Sequence, residues 1–574
     1  MKKQLQKNLA KFAFITVLGG SILLLAGCSK GGGEEPQDGD MTEITVNLAG
    51  IEGEISEELL LSSSVNGKAK SKQVPQEDIS AYTLPDFDAQ VAQPADDDYA
   101  VNALQKGATV RHTSGGKRMV AVPLASRVRY RIVLYRANGM FHASQQGIVG
   151  TQLRINVARG ETYRWYAYSY NDTLAVADLA DYNNPVVPTS STRDLITATG
   201  TQNISASGNT PLNIVMLHRT NRVAVEINTM GMFSTLTGVT VTLGGDYFTT
   251  GGNCNLLTGA VTGGTTATSP VYTVANLPNL PGTNAGDQKV AYYYTVSNNQ
   301  IPTMRVTLSS LSVTPYGTST ARNFTSSAAF QFNVTAFTSA GRSKKARIDL
   351  IESPLTLGTA RWARSNLFLN GNSTTGHNPY RFYSTNAYQI DRESYWPWRG
   401  LTPGGQAGTG DPCLRVYPLG AWRTPLPTEY QSILSTAHTF STAAGRPIIY
   451  TASTGTVSPY PSNQLVFYAN GFGNTIALIN DVLNIGLDYN QQGTRAHLWA
   501  DDQILNVVAG IGTFYYLGTN NPGGFLDPAA QNTQVVTALL NNINVPLLGI
   551  NILSAGYRNV RCVRNPAVPT TTVP

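Results

Sequence analysis

Between Arg118 and Ile351 the chain is written in short runs whose apolar residues recur at every second position. A period of two is met by extended chain paired into sheets and not by helices. Leu153, Ile155 and Val157 alternate with Arg154 and Asn156, and Thr162 to Tyr170 is aromatic at almost every second position. Tyr130-Arg131-Ile132-Val133-Leu134-Tyr135 runs toward Asn138-Gly139, a dipeptide favoured in tight turns between paired strands. Arg222 to Ile227, Val239 to Leu243, Met304 to Leu308, Phe330 to Val334 and Arg347 to Ile351 continue the series, with turn residues between them and no amphipathic helix. Only 13% of residues are charged, against 54 Gly and 30 Pro, a composition of loop-rich extracellular β modules rather than helical cytosolic enzymes. The pattern predicts one β-sandwich over 111–220 and a second over 221–352.

Residues 353–574 read differently. Five of the six tryptophans lie here (Trp362, Trp396, Trp398, Trp422 and Trp499), and no lysine follows Lys345. Thr428 is a candidate cap for a short helix carrying Tyr430, Ile433 and Leu434, and 530–542 is a second candidate helix. The region is predicted to be α+β.

The opposite end carries the layout of a secretory signal: Lys2, Lys3, Lys7 and Lys11, an apolar run from Phe12 to Leu25, then Ala26-Gly27-Cys28. The run is short of the roughly 20 apolar residues that a membrane span requires. Leu25-Ala26-Gly27-Cys28 resembles the lipobox of bacterial lipoproteins, which implies a signal peptide over 1–27 and acylation of Cys28. Residues 29–40 read as a flexible acidic tether, Glu43 to Leu48 as an isolated strand, and 52–110 as poorly ordered. Charge divides the mature chain. Residues 34–98 hold 16 acids and three lysines, while all 28 arginines lie at or after Arg111. No basic run or recognition helix accompanies the positive remainder, so nucleic acid is not an expected partner.

The first two units resemble the fimbrillins, fimbrial subunits of Bacteroidales. The likeness rests on the lipobox and acidic tether, on Pro123-Leu124 leading to Tyr130–Tyr135 and Asn138-Gly139, on Gly160 to Asn171, and on Leu217-His218-Arg219. It implies two transthyretin-like sandwiches, export as a lipoprotein, and removal of the acidic leader with its first strand by an arginine-specific protease. The groove so opened would accept a strand from the next subunit. Arg111 and Arg118 are the first two arginines and flank Thr113-Ser114-Gly115-Gly116-Lys117, a composition proteases favour. The leader and tether are accordingly assigned to 28–110, with processing at Arg111 or Arg118.

The C-terminal region resembles the C-type-lectin-like modules of Bacteroidetes surface proteins, of the Fibrobacter major paralogous type. Trp362-Ala363-Arg364-Ser365-Asn366-Leu367 matches the opening. Asp411-Pro412-Cys413, Gly420 to Pro425 and Pro427-Thr428-Glu429-Tyr430 match the central block, and Gly556 to Arg564 the close. Extra residues separate Cys413 from Trp422 and Pro425 from Thr428. The resemblance implies a bridge between Cys413 and Cys562, which leaves Cys254 over. Trp499-Ala500-Asp501-Asp502 offers two carboxylates on an apparent loop to a calcium ion, as in calcium-dependent lectins. No second acidic cluster lies nearby, so a buried tryptophan ahead of a turn is the better reading, and no cofactor is assigned. Tyr395, Trp396, Trp398 and Tyr417 are read as core before sugar platforms.

No GxSxG, HExxH, P-loop or dinucleotide-binding glycine motif is present, and an enzyme is not expected. The whole reads as mostly β: two transthyretin-like sandwiches followed by an α+β lectin-like module, serving as an accessory, tip-located fimbrial adhesin. Its expected partners are other fimbrial subunits, a host or bacterial surface glycan or protein, and the outer membrane through lipid before processing. The alternative is a surface lipoprotein that never polymerises. Three prolines in Val563–Pro574 each remove a ladder donor, which makes that segment a poor donor strand and places the subunit at the tip.

Overall fold

The computed structural model describes residues 41–54, 78–97, 109–112, 118–245, 252–263, 270–280, 286–371, 377–403, 408, 410–434, 436–451, 458–476, 487–490, 492–493, 495–508, 511–520, 533–540, 543–545, 550–566 and 570–571. Strands dominate, and among the described residues no helix is long and apolar enough to cross a membrane.

The first sandwich is built on one nine-stranded sheet with a principal core and a second buried cluster around Tyr135, Tyr166 and Tyr168. Met41–Glu54 lies inside that sheet. It runs parallel to Thr210–His218, from Ile44 beside Thr210 to Ile51 beside Met216. Its other edge pairs with Leu153–Ala158 and then with Arg118–Val122. Thr210–His218 passes the ladder at Leu217 and His218 to Ile196–Asn203, and the sheet continues through Thr162–Ser169, Arg129–Arg136 and Phe141–Ile148. Ile44, Val46, Ile132, Leu134, Ile155, Val157, Trp165 and Ile214 fill the interior. The expectation of an isolated strand at Glu43–Leu48 is therefore corrected: Ile44 and Val46 are buried because the strand is bonded along both edges.

The second sandwich packs a six-stranded sheet on a five-stranded one. The first has the order Gln288–Thr295, Asn221–Gly231, Ser343–Glu352, Phe87–Asp97, Ile79–Thr83 and Thr570–Thr571. The second is built on Ser234–Gly244 and Ile301–Pro315. Val225, Ile227, Ile348 and Leu350 meet Val241, Leu243, Val306 and Phe330 between the layers. Here the reading of 52–110 as poorly ordered fails for its described part. Residues 79–97 form a hairpin that lies along Ser343–Glu352 and buries Phe87, Ala89 and Val91 in the core. Those three alternate with Asp88 and Gln90, a period-two signal obscured by the surrounding acids and prolines.

The C-terminal module ties its two ends together. Leu355–Leu357, Ala360–Trp362, Val563–Arg564 and Trp422–Arg423 form one small sheet. Trp362, Trp396, Trp422 and Trp499 are almost wholly buried in two adjoining clusters. The helix Pro427–Leu434 forms where expected, but Thr428 sits within its first turn. Glu429 performs the capping, accepting from the Leu426 N–H at 2.7 Å. The helix expected over 530–542 is instead a strand, Thr533–Leu540, paired with Ile511–Asn520. β-branched Thr533, Val535, Val536 and Thr537 favour the extended chain, and the four-residue spacing of Val535 to Leu539 and of Val536 to Leu540 does not outweigh them. Trp499-Ala500-Asp501-Asp502 likewise stands within the strand Arg495–Val508 and not on a loop.

Candidate functional site

The acidic leader is set into the basic body at the junction of the second sandwich and the C-terminal module. Asp88, on the leader hairpin, accepts from Arg361 Nη2 at 2.8 Å and lies 3.1 Å from Arg564 Nη2. Arg564 also donates to the Glu352 carbonyl at 2.7 Å and lies 3.9 Å over the Trp422 ring. Burial lowers its guanidinium to about 10, with Asp88 opposing the shift. At the far end of the hairpin Lys344 Nζ meets Asp96 at 2.6 Å, and on the first leader strand Glu43 meets Arg154 at 3.0 Å. The charge division in the sequence is thus resolved into pairs that cross from leader to body. The pairing of Asp88 with Arg361 and Arg564 was not legible in the sequence, because ion pairs between residues so far apart, 273 positions for Arg361, leave no local signature.

The first two arginines lie on neighbouring paired strands, with Arg111 opposite Met119. Arg111 and Arg118 belong to two short strands, Thr109–His112 and Arg118–Val122, paired with His112 across from Arg118. They flank the Thr113–Lys117 stretch, which lies outside the described residues, as does Cys28. The arginines are therefore at strand ends rather than within the loop itself.

Cys413 and Cys562 form a disulfide with Cα atoms 5.8 Å apart, and Cys254 is a buried free thiol. With its ends separated by 149 positions in the sequence, the bridge stabilises by about 5 kcal/mol in the chain-entropy model. The blocks around it are structural. Asp411 accepts from Cys413 N, Thr424 N and Thr424 Oγ1 at 2.8–2.9 Å. Arg423 grips both oxygens of Glu429. Arg561, wholly buried, donates to Asn366 Oδ1 and to the carbonyls of Ala363 and Val466.

The Trp499 block is built for packing. Trp499 donates from Nε1 to the Trp396 carbonyl at 2.8 Å. Asp501 is paired with Arg399, Nε to Oδ1 at 2.7 Å; burial pushes its carboxyl up, and Arg399 opposes that. Asp502 is exposed, and among the described residues no group of three acids, histidines or cysteines converges as a metal site. A calcium ion here would have to take Asp501 from its guanidinium. Tyr395, Trp396 and Trp398 are core, and Tyr417 is a junction residue: its hydroxyl donates to Asp349 at 2.6 Å and accepts from Asn228 at 2.7 Å.

No family model matches the chain, and no curated protein matches it. Solved structures do. A Bacteroides fragilis protein proposed to act in cell adhesion matches over 56% of this chain and 100% of its own, with 12% identity and a TM-score of 0.30. The fimbrial anchor protein Mfa2 from Porphyromonas gingivalis matches over 32% of this chain and 71% of its own, with 11% identity and a TM-score of 0.18. A fimbrial assembly protein from Parabacteroides distasonis matches over 38% of this chain and 82% of its own, with 11% identity and a TM-score of 0.21.

Proposed function

We propose that this chain is an accessory subunit of a cell-surface fimbria. It mediates adhesion from the tip and assembles by strand exchange after an arginine-specific protease removes the leader at Arg111 or Arg118. The observation that carries this reading is the double insertion of the leader. Its described parts supply a strand to the first sandwich, Met41–Glu54, and a hairpin to the second, 79–97. No arginine precedes Arg111, so an arginine-specific protease leaves both insertions intact until that point, and one cut there severs the covalent link of both to the body, leaving only their ladders to hold them. The vacated edges are ladders of backbone donors and acceptors, the surface to which an extended segment adds. Acylation at Cys28 would hold the precursor at the outer membrane until then. Other fimbrial subunits would be its partners in the fibre, and a surface glycan or host protein its target at the C-terminal module. The mechanism is assembly and attachment rather than turnover.

One observation favours the alternative, a surface lipoprotein that never polymerises. Met41–Glu54 is bonded along both edges, so its loss removes an interior strand. N-terminal sequencing of the protein in purified fimbriae decides between the two. The proposal expects a start at His112 or Met119. Mature, surface-displayed protein that still begins at Cys28 establishes the alternative.

A further inference from the structure

The second sandwich and the C-terminal module enclose between them a pocket of about 190 Å³ with charged side chains in its wall. That is roughly ten times the space a single water requires, and junctions of this kind are where small-molecule sites are commonly found. Glu352 closes the strand Ser343–Glu352, Arg322 opens Arg322–Asn323, and Arg364 follows Ala360–Trp362. The three are 3%, 9% and 7% exposed. Arg322 Nη1 donates to Glu352 Oε1 at 3.0 Å. Arg364 donates to the carbonyls of Ser353 and Ser462, both at 2.6 Å, and lies 3.7 Å over the Tyr460 ring. The other Glu352 oxygen, Oε2, is buried and has no hydrogen-bond partner among the described residues. A buried carboxylate oxygen left without a donor is costly, and native proteins rarely retain one without a use.

The chemistry of these groups selects the ligand. Arg322 is engaged by Glu352 and Arg364 by two backbone carbonyls, so a phosphate or carboxylate would find no open guanidinium fork to bind and would meet the acceptor-only Oε2 of Glu352. An ammonium would meet two guanidinium groups. A neutral hydroxyl suits both, donating to the carboxylate while its own lone pairs face the arginines. Tyr383, Tyr468, Pro447 and Ile449 add carbon surface to the same wall, as the C–H faces of a pyranose require. We infer that this pocket binds one neutral sugar unit, the terminal residue of a surface glycan, with a ring hydroxyl donating to Glu352 Oε2. The inference rests on the adhesive reading above and gives that adhesion a ligand class and a place in the fold.

The test is titration of the full exported chain with a panel of neutral hexoses and N-acetylhexosamines, followed by ligand-observed NMR. At least one member of the panel is expected to bind in the millimolar range. Glu352→Gln places an amide donor where an acceptor is needed and should weaken binding about ten- to hundredfold. Thr385→Trp, at an exposed position on the pocket's rim, should block the mouth without touching the buried charges and abolish binding at an unchanged melting temperature. Binding that survives both substitutions, or no binding by any neutral sugar, overturns the proposal. Either result leaves the N-terminal sequencing test of fimbrial assembly unaffected, so the two readings fail separately.

Discussion

Two carboxylates show how much hangs on single residues at the junction. Asp88 is the carboxylate that Arg564 meets in the interior, and it holds Arg361 as well. Removing one partner of a buried pair strands the other charge, at a cost of about 3 kcal/mol. Asp88→Asn is therefore expected to lower the unfolding free energy of the full precursor in urea by that amount. Glu43→Gln, which breaks a pair exposed on both sides, should cost less than about 1 kcal/mol. Equal effects would show that Asp88 does not clamp the junction. Asp349 sets the pH response. Burial pushes its carboxyl up to about 6, with Arg347 and Tyr417 opposing, against about 3.9 in an unfolded chain. Between about pH 4 and 6 the folded protein therefore binds a proton that the unfolded chain has released. The stabilisation from this group is complete below about pH 4 and is lost as pH rises through about 6, a change of roughly 3 kcal/mol. Asp349→Asn should flatten that slope in denaturation midpoints measured across the window. An unchanged slope would assign the pH dependence to other groups.

At the scale of elements, the leader is two inserted pieces joined by one connection, and this fixes what cleavage alone can do. Cutting a peptide bond beside Arg111 or Arg118 breaks none of the ladders that hold Met41–Glu54 and the 79–97 hairpin. The nicked protein is expected to keep its leader through native gel filtration and to release it only in denaturant or to a competing strand. Spontaneous release would mean that these ladders are weaker than their register implies. Elements of this kind also mark the limit of what the sequence made legible. The strands of both bodies could be read because their apolar residues keep the period of two. So could the helix Pro427–Leu434, carrying Tyr430 and Ile433 on one side. The hairpin was missed because Asp86, Asp88 and Pro94 are typical of loops, and only its pairing with Ser343–Glu352 and with Arg361 and Arg564 makes such a sequence a strand. Thr533–Leu540 was missed because a short apolar run fits either period until a partner strand is known. The disulfide partners could be named from the resemblance. The Glu352 pocket could not, since its wall is drawn from positions 322 to 468 and exists only once two modules meet.

For the whole molecule, the position in a fibre turns on which strands are free to leave their own chain. Thr570–Thr571 is bonded to Ile79–Thr83 of the same chain, with Ala81 beside Thr570 and Tyr82 beside Thr571. Pro566 and Pro569 precede it, and each lacks the N–H that a longer inserted strand would need. That partner is part of the leader, so the short ladder lasts only until the leader departs, and the prolines then leave the segment poorly suited to making a long one elsewhere. On the proposed reading the sandwiches, in contrast, would gain open edges once the leader departs. On that reading, a body that accepts a strand while the prolines of its own 563–574 segment keep that segment from supplying one is a terminal unit, with the C-terminal module outermost. Immunogold labelling of fimbriae with antibody to residues 353–574 is expected to mark the free ends. Label along the shaft would show that the segment after Arg564 does donate, and fibres that stop growing when 565–574 are deleted would place this chain inside the fibre rather than at its tip.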